Sequence, residues 1–208
     1  MKDTLEDNFE KVTDELDTLD ENREEVLKIS RNIIRECSNA IKSIHRSNFD
    51  EYTKKIERIE QDLDDMRNVI NESPGYLYKY LKTPEQEYVE AIVLNALIND
   101  KNIPDHTKLN VDALHYSLGL ADVVGELRRH VLDNIRNSNV DEINKILEKM
   151  DEIYSYLFSL DYPSGLTKDL RHKTDTARNL IEKTRADVSL SVQMNTLSSL
   201  LKGRNEDL

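Results

Sequence analysis

Residues 88–98 read YVEAIVLNALI, and residues 113–127 read ALHYSLGLADVVGEL. Both stretches are apolar at most positions, and their only formal charges are Glu90, Asp122 and Glu126. A helix that is apolar on every face is a buried helix, so the two stretches predict the centre of the fold. A carboxylate inside such a helix costs several kcal/mol in desolvation unless a partner compensates for it.

Four carboxylates lie in or beside these stretches as two pairs, each on one helix face. Glu87 and Glu90 are three residues apart, and Asp122 and Glu126 are four apart. Neither stretch holds a Lys or Arg that would neutralise them. If the two helices pack face to face, the four carboxylates converge, and hard oxygen ligands of this kind suit Mg²⁺ or Mn²⁺. The alternative is structural: Glu87 is a solvated acid near a helix start, and Glu90 or Asp122 is paired with an Arg of a distant helix.

The composition predicts a long-helix, all-α protein. Of 208 residues 34% are charged, and only five are Gly and four Pro. The length suits one domain of six or seven helices. The single cysteine, Cys37, indicates a reduced thiol, not a disulfide framework. No apolar run approaches the ~20 residues of a membrane span, and no signal peptide opens the chain. We therefore expect a cytoplasmic protein without a membrane partner.

The negative charge is concentrated at the N-terminus. Of the net charge of −12, residues 1–25 contribute −8, from eleven Asp or Glu and three Lys or Arg. The remaining 30 acids and 26 Lys or Arg leave −4 for the rest of the chain. This predicts an acidic N-terminal arm or marginal helix over residues 1–21, followed by a helical domain over 22–208. The body of the protein is then free to carry a basic face.

The helix predicted over residues 22–46 has such a face. Glu36 is the only acid between Val26 and Ser47. At 100° per residue, five cations lie within about 60° of one another, opposite the apolar positions. A row of cations on an acidic protein favours an electrostatic track for a phosphate backbone, and the alternative is a solvated helix face. The five cations, called the basic stripe below, are Lys28, Arg31, Arg35, Lys42 and Arg46.

Cap and breaker residues divide the rest of the chain into further helices. Thr83, Asn110 and Asn139 each have the position of an N-cap. Nothing in the sequence resembles a strand or a domain linker. The predicted helices cover approximately residues 49–72, 84–100, 111–136, 140–160 and 167–201.

Two internal motifs resemble translin-associated factor X of the translin family. They are QEYVEA at residues 86–91, and VD at 111–112 followed by LGLADVVGELRR at 118–129. The REEVLK run at 23–28 and the helix spacing resemble translin itself. The resemblance covers about residues 22–200. It implies the family's all-α, seven-helix bundle, which assembles into hollow, usually octameric barrels that bind single-stranded DNA and RNA.

The resemblance also implies a site. In translin-associated factor X the acids of these motifs form a metal-dependent ribonuclease site, and they correspond here to Glu87, Glu90, Asp122 and Glu126. Translin lacks this acidic set and binds without cutting. We also expect Arg129 to hold a scissile phosphate. The chain differs from translin-associated factor X in being shorter, with a ten-residue loop between the two motif helices.

Three other polar residues lie near the second motif. We expect Arg128 to contact nucleic acid. His115 and His130 share roughly the face of the acids, and a lone histidine is more often a satisfied polar residue than a catalytic one.

The leading hypothesis is a divalent-metal endoribonuclease that acts on single-stranded or short duplex RNA with Mg²⁺ or Mn²⁺. The alternative is a non-catalytic, translin-like protein that binds single-stranded DNA or RNA. A helical scaffold that binds no nucleic acid would leave the basic stripe unexplained. Apolar residues on a charged helix, such as Leu197, Leu200 and Leu201, together with the resemblance, predict a closed homo-oligomer, an octamer.

Overall fold

The computed structural model describes residues 4–135 and 140–206, and every regular element in these ranges is helical. This confirms the all-α class predicted from the composition. The elements are α1 (Leu5–His45), α2 (Phe49–Glu72), α3 (Pro74–Leu77), a 3-10 turn (Tyr78–Leu81), α4 (Lys82–Ile98), α5 (Ala113–Asn134), α6 (Val140–Ser159), α7 (Ser164–Thr167) and α8 (Leu170–Glu206).

The acidic N-terminal block is the first part of α1. Of the two predicted alternatives, arm or helix, the structure shows a helix that continues through residue 22 without a break. Its start is a capping box: the Thr4 hydroxyl accepts the Asp7 amide, and the Asp7 carboxylate accepts the Thr4 amide. These bonds satisfy two of the amides that the first turn leaves without partners.

The chain divides into two compact units, residues 1–91 and 92–208. The division falls within α4, where the sequence shows no linker. In the first unit α1 and α2 pack as an antiparallel pair through apolar residues spaced alternately by three and four. On α2 these are Tyr52, Ile56, Ile59, Leu63, Met66 and Ile70, all buried.

The first half of α4 is bound to α2 by polar contacts. The Glu85 carboxylate, 3% exposed, pairs with Arg67 at 3.1 Å. The Tyr88 hydroxyl donates to Glu60 at 2.7 Å, and burial together with this bond raises the pKa of Tyr88. The predicted Thr83 N-cap is wrong: α4 begins at Lys82 directly after the 3-10 turn, so Thr83 lies inside its first turn.

In the second unit α5, α6 and α8 pack against one another. The N-cap of α5 is Asp112, whose carboxylate accepts the amides of Leu114 and His115. The predicted Asn110 cap is therefore wrong, because Asn110 has a positive φ of 53° and lies two residues before the cap. The predicted Asn139 cap of α6 lies outside the described residues.

In the part of the chain that the structure describes, no helix is both long enough and apolar enough to cross a membrane.

Candidate functional site

The first carboxylate pair lies on α4, one helical turn apart. Glu87 and Glu90 are both half-buried among buried neighbours such as Val89 and Ala91. Their negative charges act on a buried group in the interior of the first unit, the thiol of Cys37. Burial raises the pKa of the Cys37 thiol well above its ordinary value, and the carboxylates of Glu87 and Glu90 raise it further. The pair therefore places negative charge close to a buried group.

The second pair lies on α5 and has cationic neighbours. Asp122 forms an ion pair and hydrogen bond with Lys173 of α8. Glu126 lies 3.5 Å from Arg129 on its own helix. Asp122 is thus paired with a cation from a distant helix, as the structural alternative expected, although the partner is a Lys and not an Arg. Local spacing does not indicate Lys173 as the partner, because it lies 51 residues from Asp122 along the chain.

The four carboxylates have the chemistry that a hard divalent cation prefers, but a metal site also needs several ligands close together. Carboxylate oxygens are the ligands that Mg²⁺ and Mn²⁺ prefer. Among the described residues, however, no group of three or more His, Cys, Asp or Glu side chains lies close enough together to hold a metal ion. The convergence of the two pairs therefore stays a prediction.

The other predicted residues of α5 differ in their surroundings. Arg129 is half-exposed and lies 3.8 Å from Asp133 as well as near Glu126. Arg128 points between helices, where it pairs with Asp187 at 2.8 Å and donates to the Thr184 hydroxyl at 3.0 Å. This gives Arg128 a structural role between α5 and α8, and its contact with nucleic acid stays a prediction. His115 is buried and His130 half-buried.

All five residues of the basic stripe are exposed on α1. The nearby acid Glu36 is bound by Lys55 of α2 at 3.3 Å, and Arg35 lies 3.6 Å from the same carboxylate. Burial alone would raise the pKa of Glu36, but its contacts with Lys55, Asn39 and Arg35 together outweigh burial and lower it. Within the described ranges, the other four members form no ion pair: Lys28, Arg31, Lys42 and Arg46.

Several known proteins have sequences similar to this chain. An uncharacterized protein of Methanocaldococcus jannaschii is 38% identical over 182 residues, covering 86% of this chain and 81% of its own. Translin-associated protein X of Rattus norvegicus is 23% identical over 193 residues, covering 72% of this chain and 67% of its own.

The fold is similar to that of solved structures named C3PO. The crystal structure of AfC3PO has a TM-score of 0.82 and 28% identity, and covers 90% of this chain and 98% of its own. The AfC3PO–duplex RNA complex has a TM-score of 0.81 and 27% identity, with 90% and 97% covered. These likenesses confirm the translin-like helical fold that the motifs predicted.

A sequence model of the translin family matches residues 21–188, which include α1 from Glu21 onward, the carboxylate helices and most of α8. The chain belongs to the translin family.

Proposed function

We propose that this protein binds RNA through the basic stripe of α1. The observation that carries the proposal is a row of five exposed cations, four of which form no ion pair among the described residues. Cations that are not engaged within the protein are available to replace the counterions of a phosphate backbone. The similar AfC3PO has been solved in a complex with duplex RNA, which supports RNA as the ligand.

The overall charge of −12 does not oppose this proposal. Charges separated by more than about 8 Å are largely screened at physiological ionic strength, so a polyanion responds mainly to the local surface. On α1 that surface is basic from Lys28 onward, and its one nearby acid, Glu36, is held by Lys55. From Lys28 to Arg46, the residue that caps α1, the stripe spans 18 residue steps, about 27 Å at 1.5 Å per residue.

The salt dependence of binding tests the proposal. Each phosphate that a cation neutralises adds about 0.7 to the log–log salt slope for a single strand. Changing Arg31, Arg35 and Lys42 together to Gln should flatten the slope for single-stranded RNA by roughly two units. The matched control is the triple change of Lys54, Lys108 and Lys183 to Gln, which alters the net charge equally at exposed positions outside α1.

A slope that falls equally in both triple variants would show that binding follows net charge alone. An unchanged slope in the α1 variant would assign the basic stripe to solvent and place RNA elsewhere. The same titrations with single-stranded DNA of the same sequence measure the preference between the two nucleic acids.

The finer proposal is that the protein also cleaves RNA, as a divalent-metal endoribonuclease. It is supported by the position of Glu87 and Glu90, whose charges raise the pKa of a buried thiol. Carboxylate oxygens at such positions are ligands of the kind that Mg²⁺ and Mn²⁺ prefer. It is also supported by Asp122 and Glu126, which are half-buried on the other motif helix. The non-catalytic alternative would have the same carboxylates serve only in ion pairs.

In this proposal the four carboxylates hold Mg²⁺ or Mn²⁺. A bound divalent ion would stabilise negative charge on a phosphate oxygen and lower the pKa of a water molecule bound to it. Arg129 is half-exposed, so its guanidinium is able to orient a phosphate beside Glu126. Lys173 neutralises Asp122 in the metal-free protein, which lowers the repulsion between the acids.

Cleavage assays separate the two functions. Purified protein should cut a labelled single-stranded RNA in Mg²⁺ or Mn²⁺ and not in EDTA. The product ends should be 5′-phosphate and 3′-hydroxyl, as attack by water gives, and not the 2′,3′-cyclic phosphates left by a contaminating metal-independent nuclease. RNA binding without metal-dependent cleavage would leave the non-catalytic alternative.

A further inference from the structure

The apolar stripe of α1 extends beyond the helix that covers it. Val26, Ile33, Cys37, Ala40 and Ile44 are buried, and the same alternating spacing of three and four continues toward the N-terminus. We call the N-terminal part of the stripe the N-terminal seam. Its residues are Leu5, Phe9, Val12, Leu16 and Leu19.

The seam is uncovered because α2 ends. The Asn22 amide donates to the Glu72 carboxylate at 3.1 Å, and Glu72 is the last residue of α2. Everything before this point on α1 lacks the α2 partner. The seam residues Leu5 and Phe9 are accordingly 73% and 64% exposed, and every described residue from 4 to 18 is exposed.

The spacing of the seam is that of a coiled-coil helix. Leu5 to Leu19 are separated by four, three, four and three residues, which are the intervals between a and d positions of successive heptads. The seam spans about 21 Å of helix. A long apolar stripe that faces water is typical of an interaction surface. The heptad spacing predicts that its partner is a second helix with a matching apolar stripe.

The end of α8 carries such a stripe. The core face of α8 runs through Ala177, Ile181, Thr184 and Val188, which are all buried. A second apolar row begins at Leu190, about 160° around the helix from Val188 at 100° per residue. We call this row the C-terminal stripe. Its described residues are Leu190, Met194 and Leu197, which are 61%, 60% and 54% exposed.

Charge decides between possible partners of the seam. The heptad positions that flank the seam hold Glu6, Glu15 and Asp20 and no cation, so two seams would bring acids together. The positions that flank the C-terminal stripe include Ser191 and Gln193 and no charge. Residues 183–208 contain four Lys or Arg and three Asp or Glu, a net charge of +1, against −8 for residues 1–25.

We infer that the N-terminal seam of one copy packs against the C-terminal stripe of a second copy of this chain. Both surfaces are exposed within a single copy. Their spacing matches, and the acids that flank the seam would meet no acid beside the C-terminal stripe. Leu5 to Leu16 and the C-terminal stripe lie outside residues 21–188, the part that matches the translin family. The proposed contact uses none of the residues assigned above to RNA binding or cleavage.

Disulfide trapping in the full-length protein tests the contact. Val12→Cys in one population of chains is co-expressed with Leu190→Cys, Met194→Cys or Leu197→Cys in a second, size-tagged population. The three positions cover both helix directions, because a disulfide forms only when the two Cα atoms lie about 4.4–6.8 Å apart. The native Cys37 is buried, so wild-type chains give the background. Asp14→Cys, on the outward face of the same helix turn, is the matched control.

We expect a crosslink between the two populations for Val12→Cys with at least one α8 position, and none for Asp14→Cys. A crosslink only between two Val12→Cys chains would overturn the inference in favour of paired seams. A chain that carries both Val12→Cys and one of the α8 cysteines tests for contact within one copy, and a crosslink inside that chain would overturn the inference. The absence of any crosslink above the wild-type background would overturn it as well. Because these positions are exposed, the variants should fold, which circular dichroism checks.

Discussion

A substitution of Glu126 distinguishes a metal-dependent nuclease from a protein that only binds RNA. If Glu126 holds metal, removing its charge relieves repulsion among the acids of the metal-free protein. Glu126→Gln should then melt at or above wild type in EDTA, and millimolar Mg²⁺ should stabilise wild type more than the variant. If Glu126 serves only its ion pair with the half-exposed Arg129, the change should cost at most about 1 kcal/mol and abolish no metal response.

The measurement is a set of thermal melts in EDTA and in Mg²⁺, with RNA binding as a second readout. Asp133→Asn is the control, because Asp133 is the other acid near Arg129 and carries the same charge change. A Glu126→Gln protein that melts lower than wild type in EDTA, with neither responding to metal, would contradict the nuclease proposal. Unaltered RNA binding in the variant would then support a translin-like binding protein.

Cys37 gives a pH-dependent prediction. Burial, with Glu87 and Glu90, raises the pKa of its thiol in the folded protein, whereas the unfolded thiol ionises near 8.5. The stabilising contribution is therefore fully present below about pH 8.5 and is lost as pH rises toward the folded pKa. The free energy of unfolding should fall between pH 8 and 10 in wild type more than in Cys37→Ala. Denaturant melts measure this difference, and parallel pH curves would refute it.

At this scale the sequence predicted which acids lie in apolar helices but not their partners. The burial of Glu87, Glu90, Asp122 and Glu126 follows from the apolar composition of their neighbours, and all four are half-buried. The pairing of Asp122 with Lys173 depends on how α8 packs against α5. A contact between residues 51 positions apart leaves no signal in local spacing.

One of the contacts between α2 and α4 is a buried ion pair. Glu85 is 3% exposed and Arg67 17%, at a separation of 3.1 Å. Arg67→Met would leave the Glu85 charge buried without this guanidinium, which costs about 3–5 kcal/mol in comparable pairs. The double variant Arg67→Met, Glu85→Leu should recover most of that loss, because no buried charge remains. Chemical denaturation of the two variants with wild type would check both values, and equal losses in single and double variants would refute the account.

Helix α1 shows which element boundaries the sequence could supply. The apolar positions from Leu5 to Ile44 keep one register of three and four residues, interrupted at Arg23 and Ser30. The single helix therefore follows from periodicity, whereas the boundary predicted near residue 21 followed a change in charge. The charge change is real, because the outward face holds Glu21 and Glu24 before Lys28 and Arg31. It alters what the helix binds and not where the helix ends. The caps were less predictable, since Asn110 and Asp112 are both good N-cap residues and only the backbone at Asn110 distinguishes them.

For the whole molecule, composition and motifs were sufficient to predict the helical class and the family fold. The division into units at Ala91 was not predictable, because it falls inside the apolar part of α4, residues 88–98, which holds no Gly or Pro. Assembly is a further property of the whole molecule that a single copy indicates only through its exposed surface. Leu197 is 54% exposed, while the side chains of Leu200 and Leu201 lie outside the described residues.

The second unit carries another apolar surface, where α6 ends and α8 begins. Tyr156, Phe158 and Tyr162 are 66%, 70% and 61% exposed. Phe158 and Tyr162 also line a cleft of about 500 Å³. Exposed aromatic side chains grouped in this way are typical of interfaces between subunits. We therefore expect this surface to be covered by other copies in solution.

The prediction for the whole molecule is a closed homo-oligomer, with eight copies as the expected number. A chain of 24.2 kDa would then give a particle of about 194 kDa by light scattering, and closed symmetry should keep this mass constant with concentration. Replacing Phe158 and Tyr162 by Ser should lower the mass, because the interface loses apolar area, about 25 cal/mol for each Å². Tyr76→Ser, at an equally exposed tyrosine of the first unit, is the control. A 24.2 kDa monomer at micromolar concentration would refute the oligomer, and a mass that rises steadily with concentration would refute closure.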